Sequence, residues 1–263
     1  MHIITRKSFI SGAVASVAAS TFPSSPKALN IALIGCGGRG KGAVRNLLNA
    51  AKIVGCNVQV TVLCDWFEEA AKKARHELKL NGAKLAIGPK AYHDVMADKS
   101  IDAVLLVTPI GFRPLHFKAA VEAGKHVFEE KAVAVDGHGL RMHIEAAKLS
   151  VQKHLTVVAG TQRRHWKPYI LQARALKSGD IAPICSGKVV WNTRARRLYM
   201  RDPIKDRLNK DYLVKNWNNF DMLAGDHVVE QHVHNIDVAN WFIGRFPTSA
   251  VSFGLRARAL TGN

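Results

Sequence analysis

The chain has 263 residues, of which 48% are hydrophobic, 22% charged and 7% aromatic. That balance excludes a disordered chain and allows one large domain or two small ones. No apolar run approaches the roughly 20 residues of a membrane span, so stable membrane insertion is not expected. Lys and Arg outnumber Asp and Glu by 38 to 20, for a net charge of +18. The basic residues are dispersed, with local clusters at Arg163-Arg164 and Arg194-Arg196-Arg197. Dispersed charge fits a solubilising surface better than a nucleic-acid stripe, so no nucleic-acid partner is expected.

The first 28 residues read as an export-signal-like segment and linker. Arg6-Lys7 precedes Phe9-Ile10 and a small-residue apolar stretch to Ala19, and PSSP follows at Pro23 to Pro26. The pattern resembles a twin-arginine signal with Lys7 in the second arginine's place, which points to export to the periplasm. The alternative is a frayed basic terminus on a cytoplasmic protein.

Leu29 to Ile34 is a short apolar run suited to a buried parallel strand. Gly35-Cys36-Gly37-Gly38-Arg39-Gly40 follows and matches G-x-G-x-x-G. Ala43, Val44, Leu47 and Leu48 then recur at helical spacing. In such a strand–turn–helix, the first glycine permits the tight turn and the second lets a pyrophosphate approach the backbone. The third lets helix and strand pack closely. The helix N-terminus supplies N–H groups and a positive dipole end. A second strand, Gln59 to Cys64, ends in Asp65, where the fingerprint wants an acid for the ribose hydroxyls. Trp66 and Phe67 follow rather than an arginine. A carboxylate there repels a 2′-phosphate, so NAD is expected over NADP.

The alternation continues. Phe67, Ala70, Ala71, Ala74 and Leu78 share a helix face. Ile101 to Val107 reads as a strand ending in Thr108-Pro109, and Phe117 to Ala123 as a helix stopped by Gly124. His126 to Phe128 reads as a strand leading to Glu129-Glu130-Lys131. Leu140, Ile144 and Ala147 share the next helix face, and Leu155 to Ala159 is another strand. This order predicts a doubly wound parallel sheet over 29–160, with ligands at the carboxyl ends of the strands. Gly35, Asp65, Thr108, Lys131 and Thr161 all fall at such ends. The cysteines Cys36, Cys56, Cys64 and Cys185 form no CxxC pair, which argues for free thiols rather than a zinc knuckle.

The stretch HVVEQHVHNID, 227–237, holds three histidines and two acids. No two of His227, His232 and His234 stand four apart, so the zinc-helix pattern is absent and no metal is expected. On a helix ending near Gly244, Glu230, His234 and Asp237 fall within an arc of roughly 60°. Val229, Val233, Ile236, Ala239 and Ile243 oppose them. His232 lies off the stripe, and His227 precedes the helix.

The segments IGCGGRG, CDW, VTPIGFRPLH, AGKHVFEEKAVAVD and EQHVHNID, in that order, resemble the Gfo/Idh/MocA oxidoreductases from about residue 29 to the end. The resemblance implies a Rossmann domain followed by an α+β domain with an open, mainly antiparallel sheet that often makes oligomer contacts. Only 161–263 remain for that second domain, which is expected to be partial. The resemblance also implies nicotinamide chemistry on sugars, polyols or related hydroxyl compounds. The cofactor-binding positions it implies are Gly35, Gly37, Gly38, Arg39, Gly40, Asp65, Thr108, Pro109, His116, Glu130 and Lys131. The family's Glu-Lys-Pro stands here as Glu130-Lys131-Ala132, and its Asp-x-x-x-His as Glu230-x-x-x-His234. Lys131, His234 and Glu230 are the expected catalytic residues. His234 would act as general base and Lys131 would stabilise the alkoxide. Glu230 would hold His234 or a substrate hydroxyl, and Arg163, Arg164 and Asp237 are candidates to meet substrate. The competing expectations are an NAD-dependent glycosidase working by oxidation and elimination, and a nucleotide-binding protein without turnover.

Overall fold

The computed structural model describes residues 28–192 and 209–254. Residues 1–27, which hold the export-signal motif, lie outside the described residues, as does the Arg194-Arg196-Arg197 cluster. Two compact units are present, Met1–Val107 and Thr108–Asn263. The strands form a six-stranded sheet in the order β3-β2-β1-β4-β5-β6, the doubly wound order.

In the first unit, β1 (Leu29–Ile34) leads to helix α1 (Gly38–Val54), then β2 (Val58–Asp65) and α2 (Glu68–Glu77). A short β3 (Lys84–Ile87), α3 (Tyr92–Ala97) and β4 (Ala103–Leu106) complete it. β1 pairs in parallel with β2 and β4, and β2 with β3. Ile31, Ala32, Leu33 and Ile34 are all buried, so β1 is covered on both faces. The Ile and Leu side chains each contribute about 1.5–3 kcal/mol by leaving water. α1 turns Ala43 and Val44 inward, and α2 turns Ala71 and Ala74 inward, on the faces that the sequence spacing predicted. β3 was not expected. It is a four-residue edge strand without a buried side chain, too short for a periodic signal.

In the second unit, α4 (Arg113–Glu122) precedes β5 (His126–Glu130), α5 (Gly137–Gln152) and β6 (Val157–Gly160). β5 and β6 run parallel, with Val127 opposite Val157. The Asp136 carboxylate caps α5 by accepting from the Gly139 N–H at 2.7 Å. The expected α5 face was off by part of a turn. His143, Ala146 and Ser150 are buried, while Leu140 and Ile144 are each 44% exposed. The reason is a polar anchor: His143 meets the buried Glu129 at 2.7 Å and stacks on Phe117, which turns the helix away from its apolar spacing.

Beyond β6 come a turn at Gln162–His165 and α6 (Lys167–Ser178). After a stretch outside the described residues come α7 (Lys210–Lys215) and α8 (Asp221–Ala224). A π-helical turn at Val228–His232 runs into α9 (Val233–Ile243), which Gly244 ends as predicted. The open antiparallel sheet expected here finds no strand among the described residues. Residues 182–192 and 245–254 form neither helix nor strand. A strand needs a neighbour for its N–H and C=O groups, and among the described residues none pairs with these stretches. No helix among the described residues is long and apolar enough to cross a membrane.

Candidate active site

The glycine turn is held by main-chain contacts. Gly35 has φ 99° and donates its N–H to the Cys64 carbonyl at 2.8 Å. A Cβ on Gly40 would stand 1.9 Å from the Gly35 oxygen, so only glycine lets α1 start this close to β1. A Cβ on Gly37 or Gly38 would meet no atom within 4 Å. Those two glycines therefore face open space, as a phosphate-approach site requires. No side chain caps the N-terminus of α1, and Arg39 in its first turn is exposed. Asp65 ends β2. Its Oδ2 accepts from the Cys36 N–H at 2.7 Å and its Oδ1 from the Phe67 N–H at 2.9 Å. Burial pushes the Asp65 pKa up, against the lowering effect of those backbone donors. With the Trp66 N–H as a third backbone donor, the carboxylate still keeps a lone pair for one more. Burial also raises the thiol pKa of Cys36 and pushes that of Cys64 up to about 12, so both are inert thiols rather than nucleophiles.

In the second unit, Thr108 and His116 are both buried, with Thr108 Oγ1 3.3 Å from His116 Nδ1. Pro109 opens the short turn Ile110–Phe112 that enters α4. Glu130 is the last residue of β5 and is buried. Lys131 follows, and its peptide bond to Ala132 is cis. The Lys131 ammonium donates to Glu230 Oε2 at 2.5 Å and to the Glu230 carbonyl oxygen. These two side chains are only 15% and 14% exposed. The residues stand 99 apart in sequence. Glu230 lies in the π turn, a local irregularity common at functional sites. Its other oxygen, Oε1, accepts from Gln231 Nε2 at 3.2 Å.

His234 sits one turn later and stacks on Trp191, with ring centroids 5.7 Å apart. Burial, then the charges of Lys131 and Arg163, lower its pKa to about 4, against the pull of Asp237. His234 is thus a neutral imidazole at neutral pH. Arg163 is held by Asn235 Oδ1 and lies 5.4 Å from the Trp191 ring centre. Arg164 makes a forked pair with Asp237, through Nη2 at 2.8 Å and Nε at 2.9 and 3.0 Å. The predicted stripe therefore divides by partner: Glu230 takes Lys131 and Asp237 takes Arg164. Three residues that the sequence reading did not single out help build the cluster. Asn235 ties α9 to Arg163 and to the Val190 carbonyl, Trp191 backs His234, and Arg113 grips the Lys131 loop. His227 and His232 meet edge to face at 5.3 Å. Among the described residues, no group of three or more His, Cys, Asp or Glu is set to hold a metal.

Residues 29–161 match the model of a family described as the oxidoreductase family, NAD-binding Rossmann fold (GFO_IDH_MocA). The chain belongs to that family. An inositol 2-dehydrogenase of Azotobacter vinelandii is 31% identical over 220 residues, covering 78% of this chain and 57% of that protein. The chain thus spans little more than half the length of that relative. A solved myo-inositol 2-dehydrogenase from Lactobacillus plantarum superposes with a TM-score of 0.60 at 26% identity, over 83% of this chain and 57% of the other. A scyllo-inositol dehydrogenase from Lactobacillus casei, solved with NAD(H) and scyllo-inositol, shares the fold at TM-score 0.59 and 22% identity. That match covers 83% of this chain and 57% of the other.

The glycine turn fits the family's cofactor. It offers an open main-chain face at Gly37 and Gly38, an uncapped helix start and an acid at the end of β2. The second cluster offers an ammonium, a carboxylate that holds it and a neutral imidazole whose titration responds to that ammonium. Such a set can bind a hydroxyl, take its proton and stabilise the oxyanion left behind.

Proposed function

We propose that the protein is an NAD-dependent oxidoreductase acting on a polyol or sugar. Lys131, His234 and Glu230 would be its catalytic residues. The observation that carries this reading is the Lys131–Glu230 pair next to a neutral His234, in a chain of the oxidoreductase family. Relatives named as inositol 2-dehydrogenases make cyclic polyols the first substrates to try. The pyrophosphate would lie over Gly35, Gly37, Gly38, Arg39 and Gly40, and Asp65 would take the ribose hydroxyls. The Asp65 carboxylate would also repel a 2′-phosphate, which supports NAD over NADP. Thr108, Pro109, His116 and Glu130 are the remaining cofactor-side positions that the family's motifs suggest.

Held by the glycine turn and Asp65, NAD would supply the acceptor for the hydride that leaves the carbinol carbon. His234 receives the hydroxyl proton on its unprotonated ring nitrogen. Lys131 donates a hydrogen bond to the same oxygen as negative charge grows on it. Glu230 keeps the lysine aimed. Arg163, Arg164 and Asp237 shape the neighbourhood of α9. The test is a panel of inositols and aldoses with NAD, following formation of reduced nicotinamide by its absorbance. Oxidation that vanishes in Lys131→Ala and in His234→Ala supports the assignment; full activity in both variants removes it. Cleavage of a glycoside with no net change in NAD would instead favour oxidation and elimination.

Two organisational points belong to the same proposal. The Rossmann domain would run over 29–160, with 161–263 part of a substrate and oligomerisation domain. The exposed Phe246 and Phe253 suit burial in a homo-oligomer, which light scattering on the purified protein would reveal. Export through the segment around Arg6-Lys7 would be tested by fractionating cells that express the full chain with Lys7→Gln as control.

A further inference from the structure

We propose that the turn Pro109–Arg113 is a bracket that sets both halves of the Lys131–Glu230 pair, with Arg113 positioning the lysine and Gly111 positioning the glutamate. The proposal deepens the dehydrogenase reading and rests on it for its kinetic consequence. Two independent observations carry it.

The first is the placement of Arg113, which is only 3% exposed. Its Nη1 donates to the carbonyls of Glu130, at 2.8 Å, and of Ala132. Its Nη2 donates to the carbonyl of Thr108. One planar fork thus fixes the residues on either side of Lys131 and ties them to Thr108. No hydrogen bond to a carboxylate is among these contacts; the charged donors go to main-chain oxygens. The guanidinium Nε is buried without a partner. Burial outweighs the favourable charges of Glu129, Glu130 and Glu230 and lowers the Arg113 pKa to about 10, so the guanidinium is buried at a cost. The gain is geometric. Three carbonyls held by one rigid group leave the Lys131 backbone little freedom, so the ammonium leaves the sheet in one direction.

The second is the close approach at Gly111. A Cβ there would stand 2.4 Å from the Met222 carbonyl oxygen and 3.1 Å from Leu223 Cα. The main chain of α8 is therefore seated directly on the turn. Leu223 and Ala224 are buried by that seating, and the chain then runs into the π turn that presents Glu230. The same short turn thus grips the strand end that carries the amine and seats the segment that leads to the carboxylate.

The test uses the full chain and reads Lys131 directly. Wild type, Arg113→Gln, Arg113→Lys and Gly111→Ala are reductively methylated with formaldehyde and a borohydride. The rate at Lys131 is read by peptide mass spectrometry against exposed Lys118. Loosening the bracket is expected to raise the Lys131 rate severalfold in Arg113→Gln and in Gly111→Ala. Arg113→Lys, which keeps the charge but not the fork, should lie between them and wild type. In the polyol assay kcat is expected to fall by about 100-fold in Arg113→Gln, the scale of an ångström-sized misplacement, with KM little changed. NAD affinity, measured by calorimetry, should change far less than kcat, because the glycine turn at Gly35–Gly40 is untouched. If Arg113→Gln does not fold by circular dichroism, Arg113→Lys and Gly111→Ala carry the test. Folded variants whose Lys131 labels at the wild-type rate overturn the bracket. A wild-type protein that oxidises no polyol would sink the dehydrogenase reading, while the labelling still decides the bracket.

Discussion

The glycine turn after β1 and the cluster around Lys131 both hold polar groups still, by opposite means. In the turn, the work is done by main chain. Gly35 donates to Cys64, Asp65 accepts from Cys36 and Phe67, and Gly40 simply makes room. In the cluster, side chains from distant stretches hold one another: Lys131 with Glu230, Arg163 with Asn235, and Arg164 with Asp237. A main-chain device tolerates changes of side chain but not of volume at its glycines. A side-chain device tolerates small shifts of volume but not the loss of a partner. The two regions should therefore fail differently when altered, and the contrast can be broken or sharpened by substitution.

The largest effect is expected at His234. Removing a positioned general base lowers turnover by about 100- to 10,000-fold, so His234→Ala should lose polyol oxidation on that scale while binding NAD normally. The wild-type pH profile adds a second readout. With its pKa lowered to about 4, His234 is unprotonated through neutrality, and activity should fall only as pH drops through that value. The sign for stability follows. An unfolded histidine titrates near 6.5, above the folded value, so the unfolded chain gains a proton first and this group's contribution to stability declines as pH falls from about 6.5 toward 4. An acid limb near 6.5 would mean that the ring is neither buried nor pressed by Lys131 and Arg163.

Lys131→Ala comes next, with turnover expected to fall about 100- to 1,000-fold, the usual range for one donor to a developing oxyanion. Gly40→Ala tests the other region. A methyl 1.9 Å from the Gly35 oxygen must move main chain. Overpacking of that kind costs about 1–3 kcal/mol, and here it should also weaken NAD binding, read by thermal melting with and without cofactor. If Gly40→Ala lowers turnover while leaving cofactor affinity intact, the division of labour between the regions is wrong.

The same contrast explains what the sequence disclosed. The glycine turn was legible because its parts are consecutive and because Gly35 and Gly40 have conformational and steric reasons to be glycine. The buried strands β1 and β2 were legible for a similar reason: their apolar runs are local. Edge strand β3 was not, since four residues with no buried side chain carry no pattern. The buried face of α5 was misread because one polar contact, His143 to Glu129, outweighed the apolar spacing. In the cluster, the motif around 230–237 gave residue types and a common face, but not partners. Glu230 was expected to hold His234 or a substrate hydroxyl; the contact it makes is with Lys131, from 99 residues away. Arg113 gave no signal, because an arginine among apolar neighbours reads as surface until the three carbonyls around it are placed.

The smallest expected effect belongs to an ion pair that the comparison predicts to be dispensable. Lys72 reaches Glu68 at 2.9 Å across one turn of α2, with both side chains more than half exposed. Water screens such a pair and holding two long side chains costs entropy, so Lys72→Ala should change stability by no more than about 0.3–0.5 kcal/mol in a denaturant titration. Arg164→Ala offers the matched contrast. Its forked pair with Asp237 is less exposed, and the guanidinium also lies 5.4 Å from the Trp241 ring centre. Loss of Arg164 should therefore cost clearly more than loss of Lys72, because the fork fixes geometry and Asp237 is left without its partner. Equal costs for the two would mean that the polar contacts around α9 are solvated decoration, and the claim that side chains hold that region in place would have to be given up.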